Sequence, residues 1–576
     1  MTTFAVLPEV SVRPAQVGRR PSVRLEALLA SLAGLVIAGI LKWPVLRHLR
    51  TGVPKDLGDP LLQVWQLAWG QHALVHSPLH IWDSNTFFPL HLSLAFSDAM
   101  VGYAPFGLLF GDGIGNALLR YNTIFLLTYA LAFAGTYALA RQLGTSRLAA
   151  AVAGVGFAYA PWHLAHEGHL NILSVGGIPL ALALLARGHG YGRTERALCR
   201  PLLVLAGWAV AAWQVSLGFG LGLQLAYVLG ALVVVYGGWW LVQRRKGTAA
   251  PVSRRLLLAE AGGMALFLAV AALFAAPYLQ AAKEHPEATR KLYELQAFSP
   301  PLLGFVTVPD ANWLWGDEQV AQRAQLPAPP EMTVAPGGSL VVLAVLGTLV
   351  GRWPRRRRAL LAAGGVLLLG LAMGTQLGGG RYAYLLLYHY APGWEGVRTP
   401  GRLVVSLTLV LALLAAIGVD RLREAAGRRW LASAGIGVVA LTMVALEVLG
   451  TTPVLTPPVL PVALDHAAGP LIVLPTTLSL DQAVMYWLAA GLYPVANGSS
   501  GFTPVQQDRL RQEVLGFHDA ASVLALRRAG IRQVVLLPAD SAGTPWQGAE
   551  AKPYAGLGLT RRVVADAVVY DVRSAG

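Results

Sequence analysis

Long apolar segments alternate with short polar linkers along the first 450 residues. Many of these segments approach the roughly 20 residues that a helix needs to cross the hydrocarbon core of a bilayer. We place spans at roughly 25–45, 117–140, 148–162, 171–187, 201–217, 219–242, 256–278, 337–351, 359–374, 402–418 and 431–450. The pattern predicts an α-helical polytopic membrane protein with about eleven transmembrane helices.

The composition agrees with this fold class, since 55% of the residues are hydrophobic and 13% are charged, against roughly 25% charged in soluble domains. The net charge of +15 could indicate nucleic acid, but the basic residues are concentrated in alternate linkers such as 244–246 and 355–358. By the positive-inside rule these linkers are cytoplasmic. The charge therefore reports topology and contact with the bilayer, and nucleic acid is not an expected partner.

The same rule predicts the domain organisation, in a multi-pass protein of the cytoplasmic (inner) membrane. A basic tail (1–24) without a cleavable signal peptide lies inside. The transmembrane domain (25–450) carries long external loops at 46–116, 283–336 and 375–402. A proline-rich linker then leads to an external α/β domain at 451–576. Its strands are expected at 471–475 and 531–537, its helices at 505–515 and 520–530, and a hairpin at 563–572.

The first external loop begins with two aspartates, Asp56 and Asp59. Asp59 followed by Pro60 is a good N-cap and N1 combination for a helix over 59–76. That helix, with Trp65 and Trp69, fits either the membrane interface or packing on the outer ends of the bundle. The alternative to capping is that Asp59 serves as a catalytic carboxylate beside the membrane.

Other polar segments also face outward in this topology. His166-Glu167-Gly-His169 follows the third span, and interfacial histidines of this kind either bind a divalent cation or bond to backbone and substrate. The spacing is one residue short of the HExxH zinc motif. Arg398 and Arg402, four residues apart at a helix N-terminus beside a Pro-Gly turn, suit a phosphate group. The alternative is that both arginines extend to lipid headgroups. The candidate sugar-binding residues are Asp98, His166, Glu167, His169, Trp313, Trp315, Trp394 and Glu395. For Asp98 the alternative is helix capping, and for Trp313 and Trp315 it is an aromatic belt at the membrane surface.

The motifs resemble those of the GT-C superfamily of membrane glycosyltransferases, and more narrowly its YfhO-like bacterial branch. The resemblance is carried by Asp56-Leu-Gly-Asp-Pro-Leu-Leu-Gln63, the histidine-rich end of the third span, Arg398-x-Pro-x-Arg402 and Pro494-Val-Ala-Asn-Gly-Ser-Ser-Gly-Phe502. It implies that Asp59 is the catalytic loop-one carboxylate, with Asp56 as the second candidate. The adjacent Asp-Glu pair of some members is absent, which leaves the base and the metal dependence open.

We therefore expect a glycosyltransferase that uses a polyprenyl-phosphate-linked sugar donor, with Asp59 as general base and Arg398 and Arg402 on the donor phosphate. A divalent cation is the candidate cofactor. The alternatives are a transporter of lipids or lipid-linked glycans and a non-catalytic membrane scaffold. Charged residues within the predicted spans are few, which disfavours a transporter.

Overall fold

The computed structural model describes residues 23–192, 199–247, 252–427, 429–465 and 467–573. Most of the predicted basic tail and part of three basic linkers, including Arg193, Arg196 and Arg428, lie outside the described residues. The helices of nine residues or more are Val23–Leu41, Asp59–His76, Ile114–Gln142, Arg147–Ala158, Gly177–Gly188, Pro201–Leu217, Phe219–Arg245, Arg254–Glu284, Gly338–Val350, Arg355–Ala372, Val404–Ala425, Trp430–Glu447, Leu478–Trp487, Val505–Glu513 and Ala520–Arg528.

Shorter α-helices lie mostly in the loops, at Trp43–Arg47, Ala104–Gly107, Trp162–Ala165, Leu170–Leu173, Leu292–Ala297, Val320–Arg323, Pro329–Met332, Tyr384–Tyr390 and Val462–Asp465. The strands are β1 (Val53–Pro54), β2 (Val454–Leu455), β3 (Leu471–Leu474), β4 (Gln533–Leu536), β5 (Leu559–Val564) and β6 (Ala567–Val572).

The chain is a multi-pass membrane protein. Among the described residues, 8 helical segments are long and apolar enough to cross a bilayer, and two shorter apolar helices accompany them. Arg355–Ala372 carries four arginines in its first turn. The predicted total of about eleven spans stays a prediction.

Two spans form the centre of the bundle. Buried residues make up 89% of the apolar window of Arg147–Ala165 and 83% of that of Pro400–Ala425, against 17% for Val23–Leu41. A glycine allows Gly338–Val350 to approach the second of these spans closely, since a Cβ on Gly347 would lie 1.8 Å from the carbonyl oxygen of Leu414. Small residues at helix contacts serve the same purpose in other membrane bundles. Residues 163–173, which we call the histidine segment, and Arg402 lie at the ends of these two spans.

The C-terminal residues form the small α/β unit that the sequence predicts. Its sheet has the order β3-β4-β6-β5, with β3 and β4 parallel and the other pairs antiparallel. The strands and two helices agree with the predicted elements within a few residues. The helix Leu478–Trp487 was not predicted, and it forms the main contact with the first loop.

The C-terminal unit is joined to the first loop by backbone hydrogen bonds. β1 pairs antiparallel with β2, and Val53 lies opposite Leu455. The backbone amides of Phe87 and Phe88 donate to the carbonyl oxygens of Asn497 and Val495. The unit and the loop therefore form one body at one end of the bundle, which we call the loop end.

The helix Asp59–His76 packs inside this body. Every residue from Pro60 to Gly70 is buried. The indole of Trp65 donates to the side-chain oxygen of Asn85 at 2.9 Å, and that of Trp69 donates to the carbonyl oxygen of Ile81 at 2.8 Å. An interfacial helix would expose these rings to headgroups. The interpretation as an interfacial helix is therefore wrong, and the packed alternative is the one observed.

Candidate active site

The two loop-one aspartates have different local roles. The N-cap of the helix is Gly58, without a side-chain capping bond, and Asp59 is the first helical residue. The carboxylate of Asp56 accepts from the backbone amide of Gly58 at 2.8 Å. The prediction that Asp59 caps its helix is therefore wrong. Asp56 holds the turn, and the carboxylate of Asp59 is left to face its surroundings.

Asp59 faces the histidine segment. Its Oδ2 lies 3.2 Å from Nε2 of His169, and 47% of its side chain is exposed. Nδ1 of His169 lies 3.4 Å from Nδ1 of His166, which is buried. Gln63, one turn along the loop-one helix, accepts from the backbone amide of Leu170 at 2.9 Å. The helix that carries Asp59 thus also fixes the position of the histidine segment.

Two further charged residues complete the cluster. Glu331, in the short helix Pro329–Met332, is buried and accepts from Nη2 of Arg402 at 2.8 Å. The potential ligand atoms of His166, His169 and Glu331 all lie within 4.8 Å of one another. Two imidazole nitrogens and a carboxylate oxygen are a common donor set for Zn²⁺ and related divalent cations. We call Asp59, His166, His169, Glu331 and Arg402 the loop-end cluster.

The protonation states of His166 and Glu331 suit metal ligation. Burial lowers the pKa of His166 to about 3, although the neighbouring carboxylate of Glu331 opposes this effect. Burial alone would raise the pKa of Glu331, but Arg402 and then the two histidines hold it below its ordinary value. Near neutral pH His166 is therefore neutral and Glu331 is ionised. Those are the protonation states in which the two residues can act as metal ligands.

Glu167 lies apart from the cluster. It is fully buried and forms an ion pair with Lys42, which also donates to Thr452 at 3.1 Å. The hydroxyls of Tyr129 and Thr452 donate to the same carboxylate oxygen at 3.1 Å and 3.0 Å. This buried network ties the histidine segment to the first span and to the start of the C-terminal linker. Glu167 therefore anchors the segment and is not exposed to a sugar.

Asp98 is also engaged by protein groups. It does not cap the segment that follows it. Its carboxylate accepts from the backbone amide of Phe219 at 3.0 Å, at the N-terminus of Phe219–Arg245, and from the side-chain amide of Asn171 at 2.9 Å. Asn171 lies on the histidine segment, so Asp98 links that segment to the sixth predicted span.

The two predicted phosphate ligands point to different partners. Arg402 is paired with Glu331 in the cluster. The guanidinium of Arg398 lies over the ring of Phe298, 4.7 Å from its centroid. The proposed clamp of two free arginines is therefore not preformed, because the charge of one is already neutralised.

The aromatic candidates also differ in exposure. Trp313 and Trp315 are exposed. Trp394 is buried against the rings of Tyr227 and Tyr384, while its neighbour Glu395 is exposed. The two exposed indoles are therefore available for stacking, and that of Trp394 is covered.

Comparison with solved structures identifies the fold. No protein-family model and no curated protein matches the sequence. The arabinofuranosyltransferase AftD from Mycobacteria aligns with a TM-score of 0.57 and 18% identity, over 96% of this chain and 40% of that chain. The chain has the GT-C fold.

Two other solved structures align at lower scores. The oligosaccharyltransferase AglB from Archaeoglobus fulgidus has a TM-score of 0.43 and 14% identity, over 92% of this chain and 71% of that chain. ArnT from Cupriavidus metallidurans has a TM-score of 0.34 and 14% identity, over 96% and 98%. The AftD match carries the assignment of the GT-C fold. This chain spans about 40% of the AftD chain, and membership of the YfhO-like branch stays a prediction.

Sequence reasoning missed Glu331 and Lys42. Glu331 lies in a proline-rich stretch without a recognisable pattern, and its partner Arg402 is 71 positions away. Lys42 lies near the outer end of the first predicted span, where a lysine is normally a flanking charge. A usable signal was the acidic residue of Pro329-Pro-Glu-Met332 itself, because acidic residues are scarce in this chain.

Proposed function

We propose that this GT-C protein is a glycosyltransferase that moves a sugar from a polyprenyl-phosphate-linked donor to an acceptor hydroxyl. The loop end would face outward from the cytoplasmic membrane, as the charge pattern predicts. The observation that carries the proposal is the half-exposed carboxylate of Asp59 beside His169, in a cluster with a cation-binding donor set. The enzymatic name of AftD supports glycosyl transfer as the chemistry.

In this mechanism Asp59 accepts the proton of the acceptor hydroxyl as its oxygen bonds to the anomeric carbon of the sugar. The bond from that carbon to the phosphate oxygen breaks, and the phosphate leaves on its lipid. Asp59 suits the role because its carboxylate is accessible and has no capping bond to break. His169, at 3.2 Å, keeps that carboxylate oriented.

His166, His169 and Glu331 are the residues that would hold a divalent cation. Such a cation would supply positive charge where negative charge develops on the leaving phosphate. Arg402 has a supporting role, because its ion pair keeps Glu331 ionised inside a buried site. The acceptor and the sugar would lie toward the exposed side of Asp59.

The test is a membrane-vesicle transfer assay with a panel of polyprenyl-phosphate sugars. Asp59→Asn should lower the transfer rate by about 10²–10⁴ in folded protein. Asp112→Asn is the matched control, because Asp112 is an exposed aspartate of the same loop outside the cluster. Transfer at the normal rate by Asp59→Asn would refute its role as base. Movement of a lipid-linked sugar across the vesicle without transfer would support the transporter alternative instead.

A further inference from the structure

A second polar site lies at the loop end, between the second long loop and the C-terminal unit. A cleft of about 380 Å³ is lined by six residues between Pro286 and Glu294, by Arg398 and by residues 501–503. We call it the arginine cleft. Its charged side chains are Glu287, Arg290, Lys291, Glu294 and Arg398. Only Arg398 was singled out from the sequence.

The two carboxylates of the cleft already have partners. Glu294 accepts from the backbone amide of Lys291 at 2.8 Å and lies 3.6 Å from Nη1 of Arg290. Glu287 accepts from the backbone amide of Val505 at 2.8 Å. These carboxylates therefore serve the framework of the cleft.

Two cations of the cleft have no such partner. Within the described ranges, no carboxylate forms an ion pair with Lys291 or Arg398, in contrast to Arg402. Arg398 is held in place by its contact with the ring of Phe298. The cleft therefore presents two cations without an ion-pair partner beside Arg290, and its five charged side chains carry a formal net charge of +1.

Arg290 is held by hydrogen bonds to the C-terminal unit and to the third external loop. Its Nη2 donates to the carbonyl oxygen of Gly501 at 2.8 Å, and its own carbonyl oxygen accepts from the hydroxyl of Tyr388 at 2.7 Å. Burial, followed by the nearby charge of Arg398, lowers its pKa. That repulsion is relieved when an anion occupies the cleft.

The geometry points to the arginine cleft as a binding site for a phosphate group carried by a lipid, with Arg398 and Lys291 as direct ligands and the half-buried Arg290 as the third cation. Guanidinium and ammonium groups together are a common phosphate-binding combination. As the place of the donor phosphate, this assignment rests on the proposed function. The binding itself does not require sugar transfer, and it replaces the predicted pairing of Arg398 with Arg402.

The experiment measures equilibrium binding to the purified full-length protein. The probes are a short-chain prenyl phosphate, inorganic phosphate, and vesicles that contain phosphatidylglycerol. The variant is Lys291→Gln/Arg398→Gln. The control is Lys283→Gln/Arg323→Gln, which removes the same charge from the same loop outside the cleft.

We expect the cleft variant to bind prenyl phosphate at least about tenfold more weakly, since a bond to a charged group contributes about 1.5–3 kcal/mol. The control should bind normally. A matching loss for the phosphatidylglycerol vesicles alone would identify a bulk headgroup as the source of the phosphate. Unchanged affinity for all three probes would overturn the assignment. Asp59→Asn should bind prenyl phosphate normally, so loss of the proposed base and loss of the cleft are distinguishable.

Discussion

Breaking the buried ion pair between Lys42 and Glu167 should strongly destabilise the loop end. Lys42→Met keeps the length of the side chain but removes its charge. The side chains of Lys42 and Glu167 are 4% and 0% exposed, so the variant would leave a carboxylate without a counter-charge. Removing one partner of a buried pair typically costs about 3–5 kcal/mol. Tyr129 and Thr452 still donate to Glu167, so we expect a value near about 3 kcal/mol.

The assay compares the free energy of unfolding of the wild type, Lys42→Met, and the double variant Lys42→Met/Glu167→Gln. The double variant removes both charges and should recover part of the loss. Because Glu167 lies between His166 and His169, Lys42→Met should also weaken divalent-cation binding. Lys283→Met is the control, since Lys283 is exposed. If Lys42→Met were no more destabilising than this control, the anchoring role of the pair would be refuted.

Three further predictions concern the same end of the molecule. The pKa of His166 is about 3 in the folded protein and near 6.5 in the unfolded chain. Between pH 3 and pH 6.5 the unfolded chain therefore binds more protons, and the stability of the folded protein falls as the pH decreases. Between pH 6.5 and 5 the free energy of unfolding should fall by about 1.5 kcal/mol. His166→Asn should remove this pH dependence, as measured by unfolding at both pH values. The same pH dependence in the variant would contradict the assignment of the effect to His166. Gly501→Ala would place a Cβ 3.0 Å from the carbonyl oxygen of Phe96 and 3.2 Å from Nη2 of Arg290, so it should weaken prenyl-phosphate binding several-fold. The control Gly543→Ala, at a site with open space but positive φ, should leave binding unchanged. Equal affinities in the two variants would count against the role of Gly501. Deletion of 455–576 should lower the thermal midpoint and abolish transfer, because it removes Leu455, the residue paired with Val53, and the C-terminal sheet. A truncated protein with normal activity would show that the C-terminal unit is separable.

The large-scale organisation could be predicted from the sequence because it follows from local patterns. Apolar runs indicate the spans, and β-type and helical periodicity predicted most of the C-terminal elements. The position of Asp59 at the start of a helix was also readable, because Pro60 favours the first turn. Each of these features depends on neighbouring residues alone.

The composition of the site could not be predicted in the same way. Glu331, Arg402 and His166 come from three separate parts of the chain, and contacts between residues far apart in sequence bring them together. The sequence predicts that Asp59 caps the helix, but the carboxylate that accepts from the amide of Gly58 is that of Asp56. Which of the two carboxylates reaches this amide depends on the three-dimensional turn. Similarly, Arg398 and Arg402 look alike in sequence, and their partners distinguish them.

The interfacial interpretation of the first-loop helix failed for a related reason. Its Trp and Gln residues fit a headgroup region, but the same residues also suit a buried surface with hydrogen-bonding partners. Trp65 and Gln63 find those partners in Asn85 and Leu170. Hydrophobic periodicity shows that a face is covered, but not whether lipid or protein covers it.

The central claim is that Asp59 accepts the proton of the acceptor. The most direct measurement is the single-turnover rate of sugar transfer by purified Asp59→Asn, with prenyl-phosphate binding and thermal midpoint measured on the same sample. We predict a rate about 10²–10⁴ lower than that of the wild type, with binding and midpoint unchanged. A rate within a factor of about two of the wild type would contradict the claim, because removal of a general base normally costs far more.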